Sequence, residues 1–222
     1  MPGSAQAVLF DLDGTLADTA PDLGRALNRL RAARQLPPLP VEHLRPHASS
    51  GARGLIKAGL DIERGHPEFD ALRESFLAHY ERELCVGTVL FPGMAGLLAA
   101  LESRAVPWGV VTNKAERFTR PLMQLLGLDR RAACIVSGDT TPNLKPHPDS
   151  LLYASRSMAV APERCLYLGD DLRDVEAARA AGMIPVAVRW GYLGTGSAPE
   201  QWGADAIIDD PLEILSLIAS AA

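Results

Sequence analysis

Two aspartates, Asp11 and Asp13, follow directly on the apolar run Ala7-Val8-Leu9-Phe10 and lead into Gly14-Thr15. Side chains alternate along extended backbone, so both carboxylates face one side while Leu12 faces the other. Like charges at that spacing repel, and a hard divalent cation relieves the repulsion. Mg²⁺ takes one or two carboxylates and shares its other positions with water and phosphate. A bare Asp-x-Asp-Gly is more often a turn that closes a strand, so the pair gains meaning from company. A second apolar run, Leu166-Tyr167-Leu168, ends in Gly169-Asp170-Asp171, with Asp174 one helical turn further on. Helix capping accounts for one of Asp170 and Asp171, but not for three acids together.

Two more places carry donors. Val110-Val111 ends in Thr112-Asn113 ahead of a helical stretch, which sets a hydroxyl, an amide and free backbone N–H groups side by side, a seat for phosphate. Alone, Thr-Asn in that position is a cap. Lys145 stands in Asn143-Leu144-Lys145-Pro146-His147-Pro148, a proline-stiffened loop that would hold its ammonium still. A surface lysine is the ordinary reading; a fixed point charge for a phosphate oxygen is the chemical one.

These groups need elements to position them. The chain has 222 residues, 47% of them hydrophobic and 22% charged, enough for one large domain or a domain with a small companion. Its net charge of -5 opposes nucleic-acid binding. No apolar run reaches the roughly 18 residues of a membrane span, and Met1-Pro2-Gly3-Ser4-Ala5-Gln6 lacks a secretory pattern, so the expectation is a cytoplasmic protein with no membrane partner. Cys85, Cys134 and Cys165 are odd in number and far apart, which suggests neither disulfides nor a zinc site.

Short apolar runs at Ala7–Phe10, Trp108–Val111, Cys134–Val136, Cys165–Leu168, Ile184–Val188 and Ala206–Ile208 read as strands. Helical stretches at Met94–Leu101, Glu116–Leu126, Ser150–Met158, Val175–Ala181 and Leu212–Ala219 separate most of them. The rhythm is α/β, a Rossmann-like parallel sheet with helices on its faces, which binds ligands beyond the carboxyl ends of its strands. From Leu16 to Val86 no strand-like run occurs, and Leu23, Leu27, Leu30 or Phe69, Leu72, Phe76 fall at helical spacing. Thr19, Pro21 and Asp22 mark a helix start. A connection that long houses a small unit of its own, beside the Asp-rich loop. The predicted division is a core of residues 1–16 and 87–222 and an all-helical insertion of 17–86.

The order Asp11-Leu12-Asp13-Gly14-Thr15, Thr112, Lys145, Gly169-Asp170-Asp171-Leu172-Arg173-Asp174 resembles the haloacid dehalogenase-like hydrolase superfamily, in its phosphoglycolate phosphatase-like branch, over nearly the whole chain. Trp108 to Lys114 and Trp202 to Asp205 are also similar to the N-acetylmuramic acid 6-phosphate phosphatases of that branch. The resemblance implies a phosphatase of small phosphate esters, most directly 2-phosphoglycolate, with N-acetylmuramic acid 6-phosphate as the alternative and a hexose phosphate phosphomutase as a further one. It implies Asp11 as nucleophile, Asp13 as acid and base, and Thr112 and Lys145 as catalytic partners. Mg²⁺ would be held by Asp11, Asp13 and Asp170, with Asp171 and Asp174 behind them. Gly14 and Asn113 would meet phosphate, and Arg53, in Ser49-Ser50-Gly51-Ala52-Arg53-Gly54, a substrate carboxylate. The helical insertion would be a cap over the site, on a monomer or weak homodimer.

Overall fold

The computed structural model of the protein describes residues 5–218. Its elements run β1 (Ala7–Phe10), β2 (Ala17–Asp18), α1 (Ala20–Ala33), α2 (Val41–Ala48), α3 (Gly51–Leu60), α4 (Phe69–Arg82) and β3 (Val89–Leu90). There follow α5 (Met94–Ser103), β4 (Trp108–Val111), α6 (Glu116–Leu125), β5 (Cys134–Val136) and α7 (Asp149–Met158). The chain continues through β6 (Cys165–Gly169), α8 (Leu172–Ala181), β7 (Ile184–Val188) and β8 (Ala206–Ile208). Six strands form one parallel sheet in the order β5-β4-β1-β6-β7-β8. β1 is therefore internal, and after β5 the chain crosses to its other side. Connections diverge at the carboxyl end of β1, the crevice in which such sheets take ligands.

Register sets the chemistry level. Phe10 pairs with Val110 on β4 and with Leu168 on β6. The next residue, Asp11, consequently leaves the sheet beside Val111-Thr112 on one flank and Gly169-Asp170 on the other. Both faces of β1 are covered, which is why its sequence is apolar without alternation. Val8 and Phe10 pack with Leu97, Leu98 and Leu101 of α5 and Leu122 of α6. Ala7 and Leu9 pack with Leu151 of α7 and Ala177 and Ala178 of α8.

Helices α1 to α4 enclose a separate apolar cluster containing Leu27, Leu44, Leu55, Ile56 and Phe76. Phe118 of α6 and Tyr192, in the loop after β7, belong to the same cluster and fasten these helices to the carboxyl edge of the sheet.

Three local features differ from the sequence reading. Ala17–Asp18 pairs antiparallel with Val89–Leu90, where the sequence shows no strand, because two residues carry no periodicity to detect. α1 does begin after Thr19, but Thr19 makes no side-chain cap. Its hydroxyl donates to Asp13, and the Asp22 carboxylate accepts from Gly87 N at 2.7 Å, Thr88 N at 2.9 Å and Thr88 Oγ1 at 2.6 Å. Asp22 thus pins the returning chain while also pairing with Arg25 on its own helix. In place of a helix at Leu212–Ala219 there is a 3-10 turn, Pro211–Ser216, started by a reciprocal Asp210–Glu213 cap; Ala219 lies outside the described residues. Cys85, Cys134 and Cys165 are free thiols, and among the described residues no helix is long and apolar enough to cross a membrane.

Candidate active site

Asp11 is anchored by its backbone N–H, which donates to Leu168 O at 2.9 Å. Its carboxylate meets those of Asp170 and Asp174, one oxygen from each lying within 4.8 Å of the others. Lys145 Nζ enters this cluster 2.9 Å from Asp11 Oδ1 and 2.7 Å from Asp174 Oδ1. The same ammonium donates to Tyr167 Oη at 2.6 Å, and the Tyr167 hydroxyl donates to Val111 O at 2.8 Å. Burial alone would lower the Lys145 ammonium, but Asp11 and Asp174 outweigh it and hold it above its ordinary value. Asn113 fixes the loop that delivers this lysine: Lys145 N donates to its side-chain oxygen at 2.9 Å, and its amide nitrogen donates to Lys145 O at 3.0 Å.

Three carboxylates against one ammonium leave an excess of negative charge. Burial, moderated by Lys145 and reinforced by Asp174 and Asp13, raises Asp11 to about 7. Burial and the neighbouring Asp11 and Asp174 carry Asp170 well above its ordinary value. An all-oxygen donor set carrying surplus negative charge fits a hard divalent cation.

Asp170 is held from three sides. It accepts from Thr15 Oγ1 at 3.0 Å and from Tyr192 N at 2.8 Å, and Ser49 Oγ, between α2 and α3, stands 3.5 Å away. A Cβ at Gly14 or at Gly191 would overlap the Asp170 side chain, so both positions demand glycine. Gly14 has φ +89°, and its N–H donates to Ala17 O at 3.0 Å. Its place is therefore against Asp170, with its N–H already engaged. Asp171 is the N-cap of α8, accepting from Arg173 N at 3.0 Å, and Asp174 completes that box by accepting from Asp171 N at 3.2 Å.

A cavity of about 550 Å³ opens between the helices α1 to α4 and the carboxyl edge of the sheet. Asp11, Asp13, Thr112, Asn113, Lys145, Asp171 and Asp174 line it from the sheet side, and Arg53 of α3 lines it from the opposite one. Asp170 and Gly14 sit immediately behind that wall. Thr112 is buried, and its hydroxyl accepts from Lys114 N at 3.1 Å. Lys114, which sequence reasoning left without a role, pairs with Asp13 at 2.8 Å. Tyr192 was missed as well: its hydroxyl accepts from Thr19 N at 2.7 Å and Ala20 N at 2.8 Å, capping α1 from the loop after β7. Lys114 had a signal, its adjacency to Thr112-Asn113; Tyr192 had none, because its contacts span more than 170 residues of chain.

A switch-point sheet bearing acids from β1 and β6, a hydroxyl after β4 and a lysine ahead of α7 defines a hydrolase class. A family model described as haloacid dehalogenase-like hydrolase matches residues 5–182, and the chain belongs to that family. The N-acetylmuramic acid 6-phosphate phosphatase of Pseudomonas aeruginosa is 42% identical over 216 residues, 97% of this chain and 96% of its own. The phosphoglycolate phosphatase of Xanthomonas campestris pv. campestris is 41% identical over 212 residues, 94% of each chain. A crystal structure of a predicted phosphoglycolate phosphatase from Haemophilus somnus matches with a TM-score of 0.83 at 29% identity, covering 96% of this chain and 97% of the other. Within the family this chain is a phosphatase.

Proposed function

We propose that the protein is a Mg²⁺-dependent phosphomonoester hydrolase working through an aspartyl-phosphate on Asp11. The support is the convergence of Asp11, Asp170 and Asp174 on one point, with Lys145 2.9 Å from Asp11 and Asp13 on the same cavity wall. Asp11 attacks phosphorus as the ester P–O bond breaks, and Asp13 gives its proton to the departing alkoxide. Asp13 then takes a proton from water, whose oxygen attacks phosphorus and frees Asp11 and inorganic phosphate. Thr112 and Lys145 face the negative charge on the phosphoryl oxygens. Asp11, the Asp13 backbone carbonyl and Asp170 would hold Mg²⁺, which when bound supplies the positive charge that lets a carboxylate approach an anionic ester. Asp174 keeps Lys145 in place, and Asp171 orients Asp174 through the start of α8. Residues 17–86 act as a cap that excludes water from the transfer step.

The substrate is a carboxylate-bearing ester, with Arg53 as the partner of its carboxylate. 2-Phosphoglycolate satisfies this. N-Acetylmuramic acid 6-phosphate is favoured by one observation, the cavity: about 550 Å³ with Leu23, Phe76, Leu77 and Phe118 in its wall is room for a molecule much larger than a two-carbon acid. We read the protein as a cytoplasmic enzyme, a monomer or weak homodimer, without nucleic-acid partners, a reading supported by the net charge of -5. Phosphate release from 2-phosphoglycolate, N-acetylmuramic acid 6-phosphate and a hexose 1-phosphate, compared as kcat/KM with product analysis, tests the proposal. One of the two carboxylated esters should lead. An isomeric phosphate from the hexose ester would make the enzyme a mutase instead.

A further inference from the structure

Lys114 has no part in the chemistry assigned above. It follows Thr112 and Asn113 in the loop after β4, and its side chain is only 8% exposed. Its Nζ lies 2.8 Å from Asp13 Oδ1 and 3.0 Å from Asp13 Oδ2, a two-pronged contact. Tyr80 of α4 closes over the ammonium, its ring centroid 4.7 Å from Nζ. Thr19 Oγ1 donates to the same Asp13 Oδ1 from the entrance to α1. The site thus separates its lysines: Lys145 faces Asp11 and Asp174, and Lys114 faces Asp13.

A group that hands a proton to a departing oxygen must hold its own oxygen within hydrogen-bond reach of that atom at the moment of bond breaking. Asp13 stands beside Gly14, where φ is +89° and the loop bends away, and other side chains must fix its carboxylate. Lys114 and Thr19 do so, one from the sheet side and one from the helical side. We infer that Lys114 is the positioning residue for Asp13, locking the carboxylate in the orientation that serves the leaving group. Lys114 keeps its three protons throughout; the proton that moves is that of Asp13, and it moves to the ester oxygen as the P–O bond breaks. The inference rests on the assignment of Asp13 as the proton donor.

The leaving group supplies the test. An alkoxide needs a proton to depart, whereas 4-nitrophenolate departs without one, and kcat/KM reports the steps through departure. Lys114→Met should lower kcat/KM on an alkyl phosphate, whichever carboxylated ester the wild type turns over best, by about 10²-fold, the usual effect of a small misplacement. Its kcat/KM on 4-nitrophenyl phosphate should change little, which also shows that the variant is folded. Lys114→Arg, which keeps the charge and the donors, should recover part of the alkyl activity. Equal losses on both esters, or no loss on either, would overturn the inference, and should Lys114→Met not fold, the same comparison with Lys114→Arg decides. Asp13→Asn in the same assay separates the two levels. If that variant shows no dependence on leaving group, the role of Asp13 fails before that of Lys114 is reached.

Discussion

Two lysines and a set of neutral donors divide the acids of the site among them, and that division explains how four aspartates share a small volume. Asp11 and Asp174 divide Lys145, Asp13 takes Lys114, and Asp170 is held by neutral donors, Thr15 and the Tyr192 N–H. Lys145 is 5% exposed, so removing it strands buried carboxylates. Lys145→Met should cost about 3–5 kcal/mol, as breaking a buried ion pair does. Chemical denaturation of the metal-free protein measures this, and a Met variant as stable as the parent would show that the lysine bears no structural charge. Arg53 belongs to the same scale. It makes no ion pair among the described residues while lining the cavity, so Arg53→Ala should raise KM for carboxylated esters more than for an aryl phosphate. An equal change on both would remove it from substrate binding. Asp11, Asp13, Asp170 and Lys145 were legible in the sequence because each sits at the end of an apolar run or in a stiffened loop, where local pattern marks the spot. At Gly14 and Asn113, expected to meet phosphate, the structure shows contacts no local pattern announces: the Gly14 N–H goes to Ala17 O, and the Asn113 side chain clamps the backbone of Lys145.

Strand boundaries in the sheet followed from hydrophobic runs, because strands buried on both faces can be nothing but apolar. The ribbon of β2 and β3 did not, since its two residues per strand are placed by Asp22 and Tyr192, contacts that exist only after folding. Tyr192 joins the two halves of the machinery. Its N–H holds the Asp170 carboxylate, and its hydroxyl caps the first turn of α1. Tyr192→Phe keeps the first contact and strips the second, leaving two buried N–H groups unpaired at about 1–3 kcal/mol each. The expected result is a lowered melting temperature and faster hydrogen exchange confined to the first turn of α1, followed by mass spectrometry. Unchanged exchange there would mean that the hydroxyl contributes nothing to the helix. Gly14→Ala tests the other side of Asp170, because the new methyl meets the carboxylate at a φ of +89°. Magnesium affinity, read by calorimetry, should fall at least tenfold, about 1.4 kcal/mol, while the sheet remains folded. Wild-type affinity in that variant would detach Asp170 from the metal.

At the scale of the whole chain, the parallel sheet supplies the point of convergence, and the helices α1 to α4 supply a wall opposite it. The sequence could place an inserted helical unit beside the acidic loop because a stretch of that length cannot serve as a simple connection. It could not give the volume enclosed, which depends on how Phe118 and Tyr192 dock against that unit. Surplus negative charge at the bottom of the cavity could hold a metal ion, and the proposed mechanism makes the active form depend on one. Chelation should abolish phosphate release and Mg²⁺ restore it; full activity in excess chelator would contradict the metal reading.

The central claim is covalent: phosphorus passes through Asp11. Acid-quenching the enzyme within its first turnovers, followed by peptide mass spectrometry, reads this directly. The account predicts a phosphoryl group on Asp11, released by hydroxylamine as acyl phosphates are and absent from folded, inactive Asp11→Asn. Turnover with no phosphoryl group on the chain, or with one on another residue, would contradict it.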